Sequence, residues 1–234
     1  MQKTKLLYSF IATVLVSLSF IIFPQTDILI SRIFYSTYHQ KFCLKDNLFF
    51  NLFSFSTYIF IFFFITCAFK KIYKNIAKYR DYKFSKSRNE IILLLVFFLG
   101  SVILTQIWAK NFFKRARPQN ILEFGGEKIF TPPFVVSDEC NTNCSFFSFH
   151  ASIVTLLFIH FFFFNRKRSI KYLSFIYALL VCTIRIIQGN HFLSDIVISI
   201  CCTLNMYYFI LSIDKYSTKY TKDEKNIRNY IISE

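Results

Sequence analysis

The sequence IILLLVFFLGSVILTQIWAKNFFKRARP, residues 91–118, decides the fold class of this chain. Its first part, Ile91–Ala109, contains no charged side chain, and a cluster of lysines and arginines follows directly. The hydrocarbon core of a bilayer is about 30 Å thick, and a helix needs roughly 20 apolar residues to cross it. The stretch therefore predicts a transmembrane helix that ends at a basic cluster.

Five more apolar runs divide the rest of the sequence. Lys3 and Lys5 precede the first run as in a signal peptide, but no small-x-small cleavage pattern follows, so we expect an uncleaved span. The sequence thus predicts an all-α integral membrane protein, a bundle of six transmembrane helices that forms a single domain over residues 1–234. The five further runs are Leu6–Phe23, Leu48–Phe69, Phe149–Phe164, Tyr172–Ile187 and Phe192–Ile213.

Charge and hydrophobic content exclude most soluble classes of protein. Hydrophobic residues make up 54% of the chain, and 28 lysines and arginines against 13 acidic residues give a net charge of +15. In a soluble protein this excess would suggest a nucleic-acid partner, but here the basic residues lie between apolar runs. We therefore expect a multi-pass membrane protein with no nucleic-acid partner.

The distribution of basic residues predicts the orientation in the membrane. If the N-terminus lies inside, most lysines and arginines fall in inner segments, above all residues 70–88, residues 166–171 and the tail over about 214–234. Cytoplasmic segments of membrane proteins carry such an excess. We expect both termini to lie in the cytoplasm.

Three polar clusters lie at span ends, where charged groups are costly and are candidates for function. They cover Lys110–Pro118, Phe147–His150 and Arg185–Asp195. Because successive spans alternate in direction, all three clusters fall on the same outer face. We expect them to form one site on that face.

The residue types in these clusters suit a phosphate group. Lys110, Arg117 and Arg185 supply three cations, and arginine presents a planar fork that matches phosphate oxygens. The Ser148 hydroxyl and backbone N–H groups at the start of the fourth span, such as that of Phe149, add donors. The set predicts a phosphate site that needs no metal ion, because three cations can stabilise the transferring group.

Two histidines complete the predicted site. A histidine can attack phosphorus and leave again, while a second histidine gives a proton to the departing oxygen. His191 and Asp195 are one helical turn apart, so the carboxylate can hold the ring by its far nitrogen. With His150 as the second histidine, these three residues are the predicted catalytic set.

These residues resemble the three-part signature of the type 2 phosphatidic acid phosphatase family. The matching order is Lys110-x6-Arg117-Pro118, Ser148-x-His150 and Arg185-x5-His191-x3-Asp195, within a core from about Ile91 to Ile213. The resemblance implies a six-helix lipid phosphatase without metal or cofactor. It also implies a role for each site residue: His191 forms a phosphohistidine, Asp195 orients it, His150 is the general acid, and Lys110, Arg117, Ser148, Phe149 and Arg185 bind phosphate.

Two motifs depart from that signature. The second is usually Pro-Ser-Gly-His, and here Phe147 and Phe149 replace proline and glycine. Phe149 keeps the backbone N–H group but brings a bulky side chain near it. The third motif usually begins with serine, and Ile184 removes that hydroxyl. These departures favour an alternative in which the cations hold an anionic lipid without catalysis.

The outer loop between Pro118 and Ser148 resembles that of a subgroup acting on lipid A, the phosphorylated glucosamine anchor of lipopolysaccharide. The segment Asp27–Tyr35, which we expect to be an interfacial helix, fits the same subgroup. The resemblance implies a membrane lipid substrate, lipid A, with the 4′ position favoured over the 1 position. It also implies a bacterial inner membrane, with the site facing the periplasm. Undecaprenyl diphosphate and phosphatidylglycerol phosphate are the alternative substrates.

Other residues of the outer loop allow more than one interpretation. Cys140 and Cys144 either form a disulfide in an oxidising periplasm, just before His150, or stay free thiols. A zinc site is disfavoured because no second Cys/His pair lies nearby in the sequence. Lys114 and Arg115 either touch a second phosphate or sugar of the substrate or snorkel at the membrane interface.

Overall fold

A computed structural model describes residues 2–78, 87–165 and 167–232 of the chain. A π-helix over Val96–Ala109 joins α4 to α5, so that Arg88–Phe113 forms one continuous third span. A two-stranded antiparallel hairpin pairs β1, Tyr35–Ser36, with β2, Lys41–Phe42. The α-helices are α1 Gln2–Ile22, α2 Gln25–Ile33, α3 Leu48–Lys78, α4 Arg88–Leu95, α5 Lys110–Phe113, α6 Phe149–Phe164, α7 Arg168–Ile187 and α8 Leu193–Ile232, with short 3-10 turns at Pro118–Asn120 and Leu122–Phe124.

The predicted all-α membrane fold is confirmed. Within the described residues, five helical segments are long and apolar enough to cross a bilayer, and α6 adds a sixth apolar helix of 16 residues. Helices α3 and α8 continue beyond the predicted apolar runs, to Lys78 and Ile232, while the apolar part of α8, Leu193–Asp214, matches the predicted run Phe192–Ile213. Neither extension contains proline or glycine, so no residue in them stops the helix.

The short helix α6 is the centre of the bundle. It packs against the third span, α7 and α8, and nearly all of its first three turns is buried. A ladder of small hydroxyls joins these helices: Ser152 Oγ lies 2.6 Å from Ser101 Oγ and 2.8 Å from Thr203 Oγ1. Such contacts between small polar residues let membrane helices approach closely. Because protein surrounds α6, a helix shorter than the others suffices there.

The two ends of the bundle differ in construction. At one end ion pairs link Lys71 to Glu90 and Arg88 to Asp214. At the other end α2, the hairpin and the loop between α5 and α6 cover the helix termini. Gly189 in the α7–α8 turn has φ +66°, and an added Cβ would lie 2.4 Å from the Phe42 ring. Glycine therefore lets the hairpin pack directly on this turn, which carries the site described next.

Candidate active site

The structure brings the three predicted clusters together at the covered end of the bundle. Lys110 lies in the last turn of the third span, His150 in the first turn of α6, Arg185 in the last turn of α7, and His191 just before α8. Lys110, His150 and His191 are buried, with exposed fractions of 6%, 9% and 1%. His150 interacts electrostatically with Arg185, His191, Lys110 and Arg117, so these groups share one polar pocket.

The environment of His191 defines the state of its ring. Its Nδ1 lies 2.8 Å from the carbonyl oxygen of Ser145, which can only accept a hydrogen bond, so Nδ1 carries the proton. Burial lowers the pKa of His191 well below its usual range, and Arg117, Arg185 and Lys110 lower it further. The ring is therefore neutral, with its lone pair on Nε2, which is the form that acts as a nucleophile.

Asp195 does not hold the ring of His191 in the way that the spacing suggested. Its Oδ2 lies 3.8 Å from His191 Nδ1, which is too far for a hydrogen bond. Asp195 instead accepts from Ser145 Oγ at 2.5 Å, from Phe192 N at 2.8 Å and from Arg115 Nη1 at 2.6 Å. The Ser145 carbonyl thus holds the His191 ring in place of the carboxylate. Asp195 instead holds Ser145 and Phe192, the residue after His191.

Ser148 and Phe149 form the start of α6. The Ser148 N–H donates to Ser199 Oγ at 2.8 Å, and its Oγ caps the helix by accepting from Ala151 N at 3.4 Å. The hydroxyl proton can still be donated to a ligand. The Phe149 ring turns toward Tyr58, at a centroid distance of 6.3 Å, and packs on the apolar core. The first-turn N–H groups of a helix have no partners within the helix, so they remain suited to an anion.

Neutral amides position two of the predicted phosphate-binding cations. Arg117 donates to Asn143 O at 2.8 Å, to Asn143 Oδ1 at 2.5 Å and to Asn190 Oδ1 at 2.8 Å. Arg185 donates to Gln188 Oε1 at 3.0 Å, which also accepts from Asn190 Nδ2 at 3.1 Å. We call the three amide residues Asn143, Asn190 and Gln188 the amide belt. The belt orients both guanidinium groups without neutralising their charge, which leaves that charge available to an anion.

Arg115 has the opposite environment. Its side chain is only 1% exposed, and it pairs with Asp27 at 2.9 Å and with Asp195 at 2.6 Å. Arg115 is buried and two carboxylates compensate its charge. The expectation that Arg115 touches the substrate or snorkels was therefore wrong. Lys114 lies outside, in an exposed ion pair with Asp138 at 2.9 Å. Arg115 therefore links α2 to the start of α8 behind the pocket.

Several residues of the site escaped the sequence analysis. Asn143, Gln188 and Asn190 are amides in loops or turns, a residue type and setting with no distinctive pattern. Tyr58 of α3 contacts the His150 ring edge-on at a centroid distance of 5.0 Å and interacts electrostatically with Arg185 and Arg117. Asp27 alone gave a usable signal, because it is an acidic residue directly after an apolar span.

The two outer-loop cysteines form a disulfide, Cys140–Cys144, so the first of the two interpretations is correct. The bridge closes a small loop that includes Asn143, the partner of Arg117. In the part of the chain that the structure describes, no group of three or more histidine, cysteine, aspartate or glutamate side chains is placed to hold a metal ion.

The amide belt leads to a first prediction. We expect Asn190→Asp to weaken the affinity for inorganic phosphate roughly tenfold, because a carboxylate against Arg117 neutralises the charge that the anion needs. Titration of the purified protein with phosphate measures the effect. The matched control is Asn51→Asp, the same change at an exposed residue that contacts Gln188 but neither arginine. Equal phosphate affinity in wild type and Asn190→Asp would contradict this role of the belt.

The chain is similar to known proteins in sequence and in fold. The profile of the PAP2 superfamily matches residues 90–219. The lipid A 4′-phosphatase of Francisella tularensis subsp. novicida (strain U112) is 31% identical over 211 residues, which cover 88% of this chain and 91% of that protein. The crystal structure of a transmembrane PAP2 type phosphatidylglycerolphosphate phosphatase from Bacillus subtilis has a TM-score of 0.56 at 14% identity, covering 91% of this chain and 96% of the other. This last comparison concerns the fold alone.

Proposed function

Because the chain belongs to the PAP2 superfamily and is a lipid phosphatase, we propose that it removes the 4′-phosphate of lipid A through a phosphohistidine on His191. The resemblance found in the three sequence motifs is thereby confirmed at the level of the family. The observation that carries the proposal is the neutral His191 ring, whose Nε2 lone pair lies among cations, with Arg117 and Arg185 hydrogen-bonded by neutral amides.

The first chemical step transfers the phosphoryl group to the protein. The negative charge of the bound phosphate offsets the cations around His150, so His150 takes up a proton when the substrate binds. His191 Nε2 then attacks phosphorus while the bond from phosphorus to the ester oxygen breaks, and His150 gives that proton to the departing oxygen. Lys110, Arg117 and Arg185 stabilise the charge on the phosphoryl oxygens, together with donors at the start of α6. The Ser145 carbonyl stabilises the positive charge that develops on the His191 ring, because it accepts from Nδ1–H.

The second step regenerates the protein. His150, now neutral, takes a proton from water as the water oxygen attacks phosphorus, and the bond from phosphorus to Nε2 breaks. Inorganic phosphate leaves, and His191 and His150 return to their starting protonation states. Asp195 acts through its neighbours in both steps, since it holds Ser145 and Phe192 on either side of the nucleophile.

The choice of lipid A rests on similarity that extends beyond the catalytic core. The lipid A 4′-phosphatase of the Francisella strain aligns over most of both chains, and that alignment is longer than the family match over residues 90–219. It therefore includes parts outside the family signature, where elements such as α2 and the hairpin cover the site. These elements are suited to recognising the substrate beyond its phosphate.

We also propose that the pocket faces the periplasm of a bacterial inner membrane, with both termini in the cytoplasm. Two features support this orientation. The Cys140–Cys144 disulfide lies beside the pocket, and disulfides persist in oxidising compartments such as the periplasm. At the opposite end of the bundle lie Lys71, near the end of α3, and Arg88, the first residue of the third span, which agrees with the positive-inside rule.

Mass spectrometry of lipid A tests the proposed function. Cells that express the wild-type protein should carry lipid A lacking one phosphate, and fragmentation should assign the loss to the 4′ position. Cells that express His191→Ala at equal membrane levels should keep both phosphates. Unchanged lipid A in both strains would overturn lipid A as the substrate, and loss of the 1-phosphate would overturn the position.

A further inference from the structure

The disulfide loop, residues Cys140–Cys144, supplies a strong contact to the predicted phosphate site. Asn143 has φ +55°, in the left-handed region that asparagine tolerates better than most residues. In this conformation its carbonyl oxygen accepts from Arg117 Nε at 2.8 Å, and its side-chain oxygen accepts from Arg117 Nη2 at 2.5 Å. One loop residue thus holds two of the three nitrogens of this guanidinium group.

Ser145, the residue after the loop, holds the nucleophile His191. The Ser145 N–H donates to the Arg115 carbonyl at 2.9 Å, its carbonyl accepts from His191 Nδ1 at 2.8 Å, and its hydroxyl donates to Asp195. Cys144, which is 3% exposed, therefore stands between the residue that holds Arg117 and the residue that holds His191. The rest of the loop is largely exposed, so packing alone does not fix its position.

We propose that the Cys140–Cys144 disulfide sets the position of Arg117 relative to His191, with Asn143 as the positioning residue. A bridge across so short a loop removes most of its conformations, and it ties Asn143 to the buried Cys144. Opening the bridge frees Asn143 to leave Arg117, while Ser145 stays anchored by Arg115 and Asp195. The inference rests on the proposed function in one respect, namely that Arg117 binds the phosphate that His191 attacks.

Binding of inorganic phosphate to the purified full-length protein in detergent tests the role of the disulfide. Within the described residues Cys140–Cys144 is the one disulfide, and five other cysteines are free. We expect dithiothreitol to weaken the phosphate affinity of the wild type roughly tenfold, since a hydrogen-bonded charge loses much of its orientation. The double variant Cys140→Ser with Cys144→Ser should show the weak affinity without reductant and no further change with it. An unchanged affinity in the reduced wild type overturns the proposal.

A second set of variants tests the role of Asn143 itself. Asn143→Gly keeps the left-handed backbone without strain and removes the side-chain oxygen. We expect it to weaken phosphate affinity roughly tenfold, whereas Asn141→Gly, the same change at an exposed residue of the same loop, should bind like the wild type. Combining Asn143→Gly with the two serine substitutions should add little, because both act on the same contact. Effects that multiply would overturn the proposal.

Turnover separates positioning from general damage. A misplaced Arg117 weakens the transition state more than the bound substrate, so in Asn143→Gly kcat should fall in addition to the rise in KM that follows from weaker phosphate binding. The melting temperature should match that of Asn141→Gly. Phosphate affinity needs no lipid substrate. A wild type that binds phosphate in a disulfide-dependent way but hydrolyses no lipid therefore refutes the proposed function and supports the loop. A wild type that hydrolyses lipid, but whose phosphate affinity does not depend on the disulfide, supports the proposed function and refutes the role of the loop.

Discussion

We expect His191→Asn to reduce phosphatase turnover by about 10³-fold or more, which is the scale seen when an enzyme loses its nucleophile. Asparagine places an N–H donor near the position of Nδ1, so the 2.8 Å contact with the Ser145 carbonyl can survive. It has no counterpart of Nε2. The substitution therefore removes the attacking atom while the surrounding loop stays in place, and hydrolysis rates of purified variants measure the loss.

The control for this variant is His39→Gln. His39 lies in the exposed β1–β2 hairpin at the same end of the bundle, away from the cations that surround His191. The His39→Gln variant should hydrolyse substrate at the wild-type rate. Turnover in His191→Asn within about tenfold of wild type would exclude His191 as nucleophile, because the loss of a covalent catalyst costs far more.

The second large effect concerns stability. Arg115→Met should destabilise the protein by about 3–5 kcal/mol, because it leaves buried carboxylates without their cation. The guanidinium group also contacts Ser194 Oγ at 2.9 Å and lies 4.3 Å from the Phe192 ring centroid. Methionine fills part of the volume but compensates neither Asp27 nor Asp195. Thermal unfolding in detergent measures the effect, and we expect a large fall in melting temperature.

The neighbouring residue provides the control. Lys114→Met makes a similar exchange at the position before Arg115. The Lys114–Asp138 pair is solvent-exposed, so the free energy of unfolding should change by less than about 1 kcal/mol. Equal melting temperatures for the two variants would show that the buried cluster of Arg115, Asp27 and Asp195 is not a stabilising element.

The sequence departures at Phe149 and Ile184 look different once their surroundings are known. Ile184 is 5% exposed and packs inside the bundle, as an apolar residue should. The Phe149 ring lies against Tyr58 and the apolar core, and its backbone starts α6 in the usual way. Both side chains therefore fit this fold, and neither prevents α6 or α7 from carrying its site residues.

The position of the site was predictable because charge in an apolar sequence is costly. Lys110, Arg117, His150, Arg185 and His191 stand at the ends of long apolar runs, and the alternation of spans brings such ends to one face. These constraints need no knowledge of side-chain packing. They explain why the sequence predicted the bundle and the main members of the site.

The supporting contacts were not predictable for the same physical reason. Asn143 and Gln188 are ordinary loop and turn residues. Each contributes a neutral oxygen that accepts a hydrogen bond from an arginine, and the tertiary fold sets that contact. Spacing also misled in one case. Asp195 is one helical turn from His191, but the Ser145 carbonyl is closer to the ring and Arg115 draws the carboxylate away.

Trapping the covalent intermediate tests the central claim most directly. The purified protein is mixed with substrate carrying a radioactive phosphate, denatured in alkali, which preserves phosphohistidine, and digested into peptides. We predict label on the peptide that contains His191 in the wild type and none in His191→Asn. Hydrolysis by the wild type with no label on His191, at times when turnover is under way, would contradict a phosphohistidine mechanism.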